Sequence, residues 1–237
     1  MLQALSRNIG SATRFASRRP SWLTVELRRK AVIIRGMVDE LDNAVVALER
    51  WLTEAGMSLT NVFGPPATAD QVAEVEQALA RRLPHDYRRF VMALGGQRFV
   101  PTGERLGHLT QLVQNIEMLG PAHALGEWRT MSQEWGDEGP GPIATVGPVK
   151  PLYKHWLWWP VTCILGSSQY HCLDLDPATG GAVGQVIWIA DDDEQRRVIA
   201  PSFAAFLGMI AEALTGATSA EEGAELSDEA FDRLLGL

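Results

Sequence analysis

The sequence has 237 residues, 46% hydrophobic and 21% charged, which suits one large globular domain with appendages. No apolar run approaches the roughly 20 residues that a bilayer-crossing helix needs. The net charge of −8 is unevenly spread: residues 1–36 hold eight basic side chains and one acid (net +7), and the remainder holds 13 basic and 28 acidic ones (net −15).

Residues 1–36 read as a basic, structureless extension. An organellar transit peptide or a nucleic-acid or membrane arm shares that composition. Met37, directly before the first periodic segment, favours an extension from an upstream start. From Val38 to Ala55 apolar residues recur at helical spacing (Leu41, Val45, Leu48, Leu52, Ala55), and Gly56 stops the helix. After Gly64-Pro65-Pro66, Thr68 and Gln71 form a capping box for a helix burying Val72, Val75 and Leu79. Pro84 starts a third helix with Tyr87, Phe90, Val91 and Leu94 inside, ended by Gly95-Gly96. Leu109–Leu119 and His123–Trp135 read as shorter helices, and Gly136–Pro142 as a surface loop.

The pattern then becomes extended. Ile143–Val149, Lys154–Thr162, Tyr170–Leu175 and Val183–Ile189 are rich in β-branched and aromatic residues. Ser202 caps a last strong helix with Phe203, Phe206, Leu207, Ile210 and Leu214 inward, closed by Gly216. An acidic tail follows, with one short helix around Phe231–Leu235. This order predicts an α+β fold: N-terminal helices packed on a mostly antiparallel sheet, closed by a C-terminal helix. The organisation is an extension over 1–36, a domain over 37–216 and a tail over 217–237.

The stretch "HCLDLDPATGGAVGQV", His171 to Val186, tests the chemistry. Asp174 and Asp176 alternate as calcium ligands would, but Pro177 follows, no further acid comes before Asp191, and the flanks are strands. The glycines lack the Lys-Ser/Thr and the following helix of a phosphate loop. His171 and Cys172 are adjacent on a strand and point to opposite faces, so neither serves the other. Ser167-Ser168 lacks a nucleophile elbow. His85, His108, His123 and His155 show no zinc pairing. Cys163 and Cys172 make no disulfide framework or zinc signature; as buried thiols they indicate a reducing, cytoplasmic compartment. The stretch reads as a β-hairpin whose turn is built by Asp174, Asp176, Pro177, Gly180 and Gly181, the glycines supplying positive φ. No metal, cofactor or catalytic residue is expected.

"PPATADQVAEVEQAL" leading into "ARRLPHDYRRFVMALGGQ" resembles the Leu-Pro-x-Asp-[YF] to Gly-Gly-Gln segment of the SUKH superfamily, in its Smi/Knr branch. "GPVKPLY" with "WLWWPVT", "CLDLDPATGGAVGQVI" and "APSFAAFL" resemble that family's later strands, hairpin and closing helix. The match runs from Val38 to Leu214. Trp159 stands before Pro160 where the family has a single hydrophobic residue after its Trp, and residues 97–142 match poorly.

The resemblance implies a non-enzymatic protein-binding domain. Bacterial members act largely as immunity proteins that neutralise toxins, many of them nucleases, and fungal members regulate cell-wall glucan synthesis and signalling. The leading expectation is an immunity protein whose partner is a toxin with a basic surface, suited to a −15 domain. The alternative is a regulatory scaffold for cell-wall, envelope or signalling proteins, and the remote one a hydrolase using Cys172 or His171. Neither nucleic acid nor membrane is an expected partner. The residues expected at the partner surface are the acidic run Asp191, Asp192, Asp193 and Glu194, taken as a loop from the last strand to the helix, and Trp156, Trp158 and Trp188. Trp156 and Trp158 are placed on one strand face and Trp159 on the other.

Overall fold

In a computed structural model the described residues are 39–98, 112–134, 142–220 and 223–237. The extension over 1–36, His108 and most of the loop Gly136–Pro142 lie outside them. Helix α1 (Glu40–Glu54) opens at Asp39, whose side chain accepts the Asp42 N–H at 3.0 Å, and buries Leu41, Ala44, Leu48 and Leu52. After a one-turn helix α2 (Leu59–Val62), α3 (Ala69–Leu79) starts at a reciprocal box. Gln71 N–H donates to Thr68 Oγ1 at 3.2 Å, and Thr68 N–H to Gln71 Oε1 at 2.9 Å. The expected apolar stripe of α4 (His85–Leu94) is inward at Tyr87, Phe90 and Val91.

The sheet holds β1 (Ile116–Met118), β2 (Ala144–Val146), β3 (Trp158–Ile164), β4 (Gln169–Asp174), β5 (Gln185–Ala190) and β6 (Gln195–Ala200). Their order is β1-β3-β4-β5-β6-β2, antiparallel except where β2 pairs parallel to β6. Helix α5 (Pro121–Glu134) follows β1. Helix α6 (Phe203–Thr215), a short hairpin of β7 (Thr218–Ala220) and β8 (Gly223–Glu225), and α7 (Asp228–Leu235) complete the chain. The fold is α+β, as expected. Among the described residues no helix is long and apolar enough to cross a membrane.

Two expectations are corrected here. The helix over Leu109–Leu119 is absent from its described part, residues 112–119. Leu112, Val113, Ile116 and Leu119 have helical spacing, but all are buried at the sheet margin, and Asn115 turns the chain at φ +62°. The acidic run does not lead from the last strand to a helix. It is the turn of a β5–β6 hairpin, because the charged segment Gln195-Arg196-Arg197 opens a sixth strand.

The sheet carries a core on each face. Trp159, Val161, Leu173 and Val186 face the helices, while Trp158, Cys172, Ile187 and Ile189 form a smaller cluster with Met131 and Val149. β3 has one extra residue: Pro160 pairs with Cys172 and Thr162 with His171, leaving Val161 bulged. Trp159 and Pro160 themselves stay in register, opposite Leu173 and Cys172.

The family-like motifs meet in one corner. Asp86 Oδ2 accepts the Ala204 N–H at 2.9 Å, satisfying a free amide at the start of α6. The Tyr87 ring stands edge-on to Phe203 with centroids 5.0 Å apart, and the Trp159 indole N–H donates to Tyr87 Oη at 3.3 Å. A Cβ on Gly95 would come within 2.2 Å of the Pro65 carbonyl oxygen, and one on Gly96 within 2.0 Å of the Gly120 nitrogen. Gln97 pairs with Met118 through both its N–H and its side-chain oxygen. These motifs build architecture.

Candidate functional site

The β4–β5 hairpin leaves no open cation loop. Asp174 is buried and accepts the Asp176 N–H at 3.1 Å and Gln185 Nε2–H at 3.0 Å. Asp174 thus serves the turn through its amides rather than through water, and burial pushes its carboxyl pKa up. The Trp158 indole N–H lies close enough to steady that charge but outside hydrogen-bond geometry, so it remains buried without a direct partner. Asp176 is taken by Lys150 Nζ and by His155 Nε2 at 3.0 Å, Lys150 being the larger cause of its lowered pKa. Gly180 has φ +93°, as expected. Gly181 does not; its need is space, because a Cβ there would meet Pro177 Cβ at 2.7 Å and the Pro148 carbonyl oxygen at 2.8 Å. The other positive φ belongs to Gly184, at +91°.

The candidate nucleophiles are spent or enclosed. The His171 imidazole is fully buried between Trp188 and Phe206, with ring centroids at 4.9 and 4.7 Å. Thr162 Oγ1 accepts the His171 backbone N–H at 3.3 Å and donates to Nδ1 at 2.6 Å, which leaves Nε2–H to donate to the Leu234 carbonyl at 2.7 Å. Burial lowers the His171 pKa to about 4, so the ring is neutral. Cys172 lies on the opposite face, its thiol pKa raised well above normal by burial, and burial pushes Cys163 up to about 12. Exposed Ser167 donates to the Ile164 carbonyl. His123 joins Glu117 at 3.1 Å and Glu127 at 3.5 Å, its pKa raised chiefly by the Glu117 bond. Among the described residues no group of three or more His, Cys, Asp and Glu side chains is placed to hold a metal ion. A shallow groove of about 510 Å³ between α1 and α6, floored by Ala44, Ala47, Gly208 and Ala211, is lined by no histidine or cysteine.

The exposed feature with binding chemistry is the segment 147–157, which joins β2 to β3 over the smaller core. Trp156 is 48% exposed and Leu152 39%. Two side chains, the half-buried Trp128 and the buried Arg196, fix this segment. The Trp128 indole N–H donates to the Trp156 carbonyl at 2.8 Å, and Arg196, wholly buried, grips the Tyr153 carbonyl through Nε at 3.1 Å and Nη2 at 2.8 Å. Arg196 Nη1 binds the Asp193 and Gln195 carbonyls, both at 2.9 Å. Trp158 and Trp188 are corrected as surface candidates: both are buried, in the smaller core and against His171. Trp156 precedes β3 and so shares no strand face with Trp158. Sequence reasoning missed Trp128 and Arg196. Their signals were a lone Trp on α5 and an Arg pair that looked like solvent-facing charge.

The acidic run is also largely engaged. Asp191 pairs with Lys154 Nζ at 3.2 Å, Asp192 accepts from Gln169 Nε2 at 3.3 Å, and Asp193 pairs with Arg197 at 3.0 Å. Asp191, Asp192 and Glu194 remain solvent-exposed, with Asp193 half-buried. This turn and Trp156 belong to one surface, since Tyr153 and Lys154 of the Trp156 segment bind Asp191.

The chain is 27% identical over 198 residues to a "Glucan synthesis regulatory protein" of Neurospora crassa, covering 71% of this chain and 37% of that protein. It is 26% identical over 178 residues to the "Cell wall biosynthesis/cell cycle regulator smi1" of Schizosaccharomyces pombe, covering 69% of this chain and 34% of the relative. The chain thus spans about a third of the length of these curated relatives. The profile of the SMI1 / KNR4 family matches residues 66–209, from the α3 cap through β6 into α6. The chain belongs to the SMI1 / KNR4 family (SUKH-1).

Proposed function

We propose that this chain is a non-catalytic, protein-binding regulator acting in cell-wall or envelope control, as its two fungal relatives are named. The observation that carries the reading is its likeness over some 70% of its length to two proteins named as regulators. The geometry supports it: the candidate nucleophile Cys172 and the imidazole of His171 are buried and directed to opposite faces, whereas Trp156 and Leu152 face solvent on a segment held by hydrogen bonds from Trp128 and Arg196. An exposed aromatic on a rigid support suits a binding hot spot.

The immunity reading changes rank. Its physical support was the −15 charge, and the acidic turn that would present it is partly neutralised by Lys154 and Arg197. Capture from the native host with the tagged full chain and its Trp156→Ala variant tests the proposal. The expected catch is a component of wall-polymer synthesis or its signalling, lost with Trp156→Ala while the melting temperature is kept. A captured toxin would establish the immunity reading instead. Turnover of a small molecule by the purified chain would refute both.

A further inference from the structure

Helix α7 is eight residues long, too short to persist alone in water. Leu234 is its one fully buried side chain, with Ala230, Phe231 and Leu235 half-buried. Two polar ties add to this: His171 Nε2–H to the Leu234 carbonyl, and Arg233 to Glu212 at 2.6 Å between exposed side chains. Beyond the last turn, Gly236 lies on the sheet so closely that a Cβ would come within 2.6 Å of Ile199 Cδ1 and 2.8 Å of Arg197 Cδ.

Arg197 is 7% exposed, and its Nη2 binds Asp193 and Gln195. Its Nη1 is buried without an acceptor. A buried cationic N–H left unpaired carries a substantial desolvation penalty. The seat of α7 therefore offers an apolar slot and a buried imidazole donor, beside the stem of an arginine that keeps one unanswered guanidinium N–H. Its present occupant meets only the first two.

We propose that the α7 seat is a docking groove for an acidic amphipathic helix of a partner protein, with α7 as its resident, displaceable occupant. The partner sets apolar residues at the spacing of Phe231, Leu234 and Leu235, the i, i+3, i+4 pattern of helix-in-groove recognition. It places a backbone carbonyl under His171. A carboxylate just past its last turn meets Arg197 Nη1. Few buried apolar contacts mark α7 as an element that opens locally before the rest of the domain. The tethered helix competes at high effective concentration, so it gates the groove until a better ligand arrives. This inference rests on the reading of the chain as a protein-binding regulator, but its test reads the groove alone, so failure here leaves that reading standing.

The test uses a fluorescent peptide of residues 226–237 titrated into the full-length chain and into its Leu234→Glu variant, followed by anisotropy. The variant, its own α7 expelled, is expected to bind at least tenfold more tightly than the wild type. An amidated peptide carrying Leu237→Glu is expected to bind several-fold more tightly than its amidated parent. No binding by a variant that keeps the native circular dichroism overturns the groove. Equal affinity of the two amidated peptides overturns its acidic preference. Should Leu234→Glu fail to fold, hydrogen exchange on the wild type decides. Amides 231–236 are expected to exchange at least tenfold faster than those of Cys172 and Ile187, and equal protection overturns displacement. A wild-type dimer that the peptide dissolves would give the groove to a second copy's α7 and overturn the partner assignment.

Discussion

His171 Nε2–H donates to the carbonyl oxygen of Leu234 at 2.7 Å, joining the middle of the sheet to a helix 63 residues later. The bond requires the neutral Nε2–H tautomer, which Thr162 selects by donating to Nδ1. Because the folded pKa is depressed to about 4 from 6.5, the unfolded chain binds the extra proton first. This contribution to stability is complete above pH 6.5 and is lost as pH falls from 6.5 to 4, by up to about 3 kcal/mol. Urea melts of the wild type and of His171→Gln between pH 7.5 and 4 check it. The difference between the two proteins isolates this histidine from His123, whose raised pKa gives the opposite trend. A difference independent of pH would remove His171 as the cause.

Gly181→Ala is expected to cost about 1–3 kcal/mol by overpacking against Pro177, Pro148 and Gln185. Gly180→Ala meets no atom within 4 Å and carries only the strain of its positive φ, about 1 kcal/mol. Denaturant midpoints of the two variants should rank in that order.

Asp86→Ala removes an acceptor from the Ala204 and Tyr87 amides. A loss of about 1–2 kcal/mol is expected, in line with a deleted helix cap. Thermal melts measure it, and an unchanged midpoint would show that water satisfies the α6 amide instead.

Within the acidic turn the three aspartates should separate. Asp192→Asn is expected to leave stability unchanged, since its side chain is exposed and its hydrogen bond is to the Gln169 amide at 3.3 Å. Asp193→Ala uncovers the buried guanidinium of Arg197 and is expected to cost about 1–3 kcal/mol. In binding kinetics with the captured partner, Asp192→Asn combined with Glu194→Gln is expected to slow association at low salt and leave dissociation alone. If the association rate is unmoved, the turn does not steer the partner.

Calcium or magnesium is expected to leave the melting temperature unchanged, because Asp174 is enclosed by Gln185 and the Asp176 amide. A clear rise would restore the loop to the metal-binding candidates.

The elements with one periodic face were legible from sequence. The stripe Leu41, Leu48, Leu52 and the Thr68–Gln71 box are local signals that the packing left intact. β1 was misread because its apolar spacing also fits a helix, and the pairing that makes it a strand comes from β3 and Gln97, outside the segment. β6 was hidden by Arg196 and Arg197, whose charges look solvated until Tyr153, Asp193 and Gln195 are brought over them. The tryptophans failed for a similar reason. Burial of Trp158 and Trp188 and exposure of Trp156 depend on where the 147–157 segment lies, which no local pattern states.

The strand order has a consequence for synthesis. Ala144 of the edge strand leaves the ribosome 51 residues before Gln195, its first pairing residue, and Asp86 waits 118 residues for Ala204. At ~10 residues per second those intervals are ~5 and ~12 s. Helices α1, α3 and α4 are therefore made well before the strands and the helix that cover Leu48, Val75 and Phe90. During translation the nascent chain carries open apolar faces, which makes this domain a natural client of chaperones acting at the ribosome.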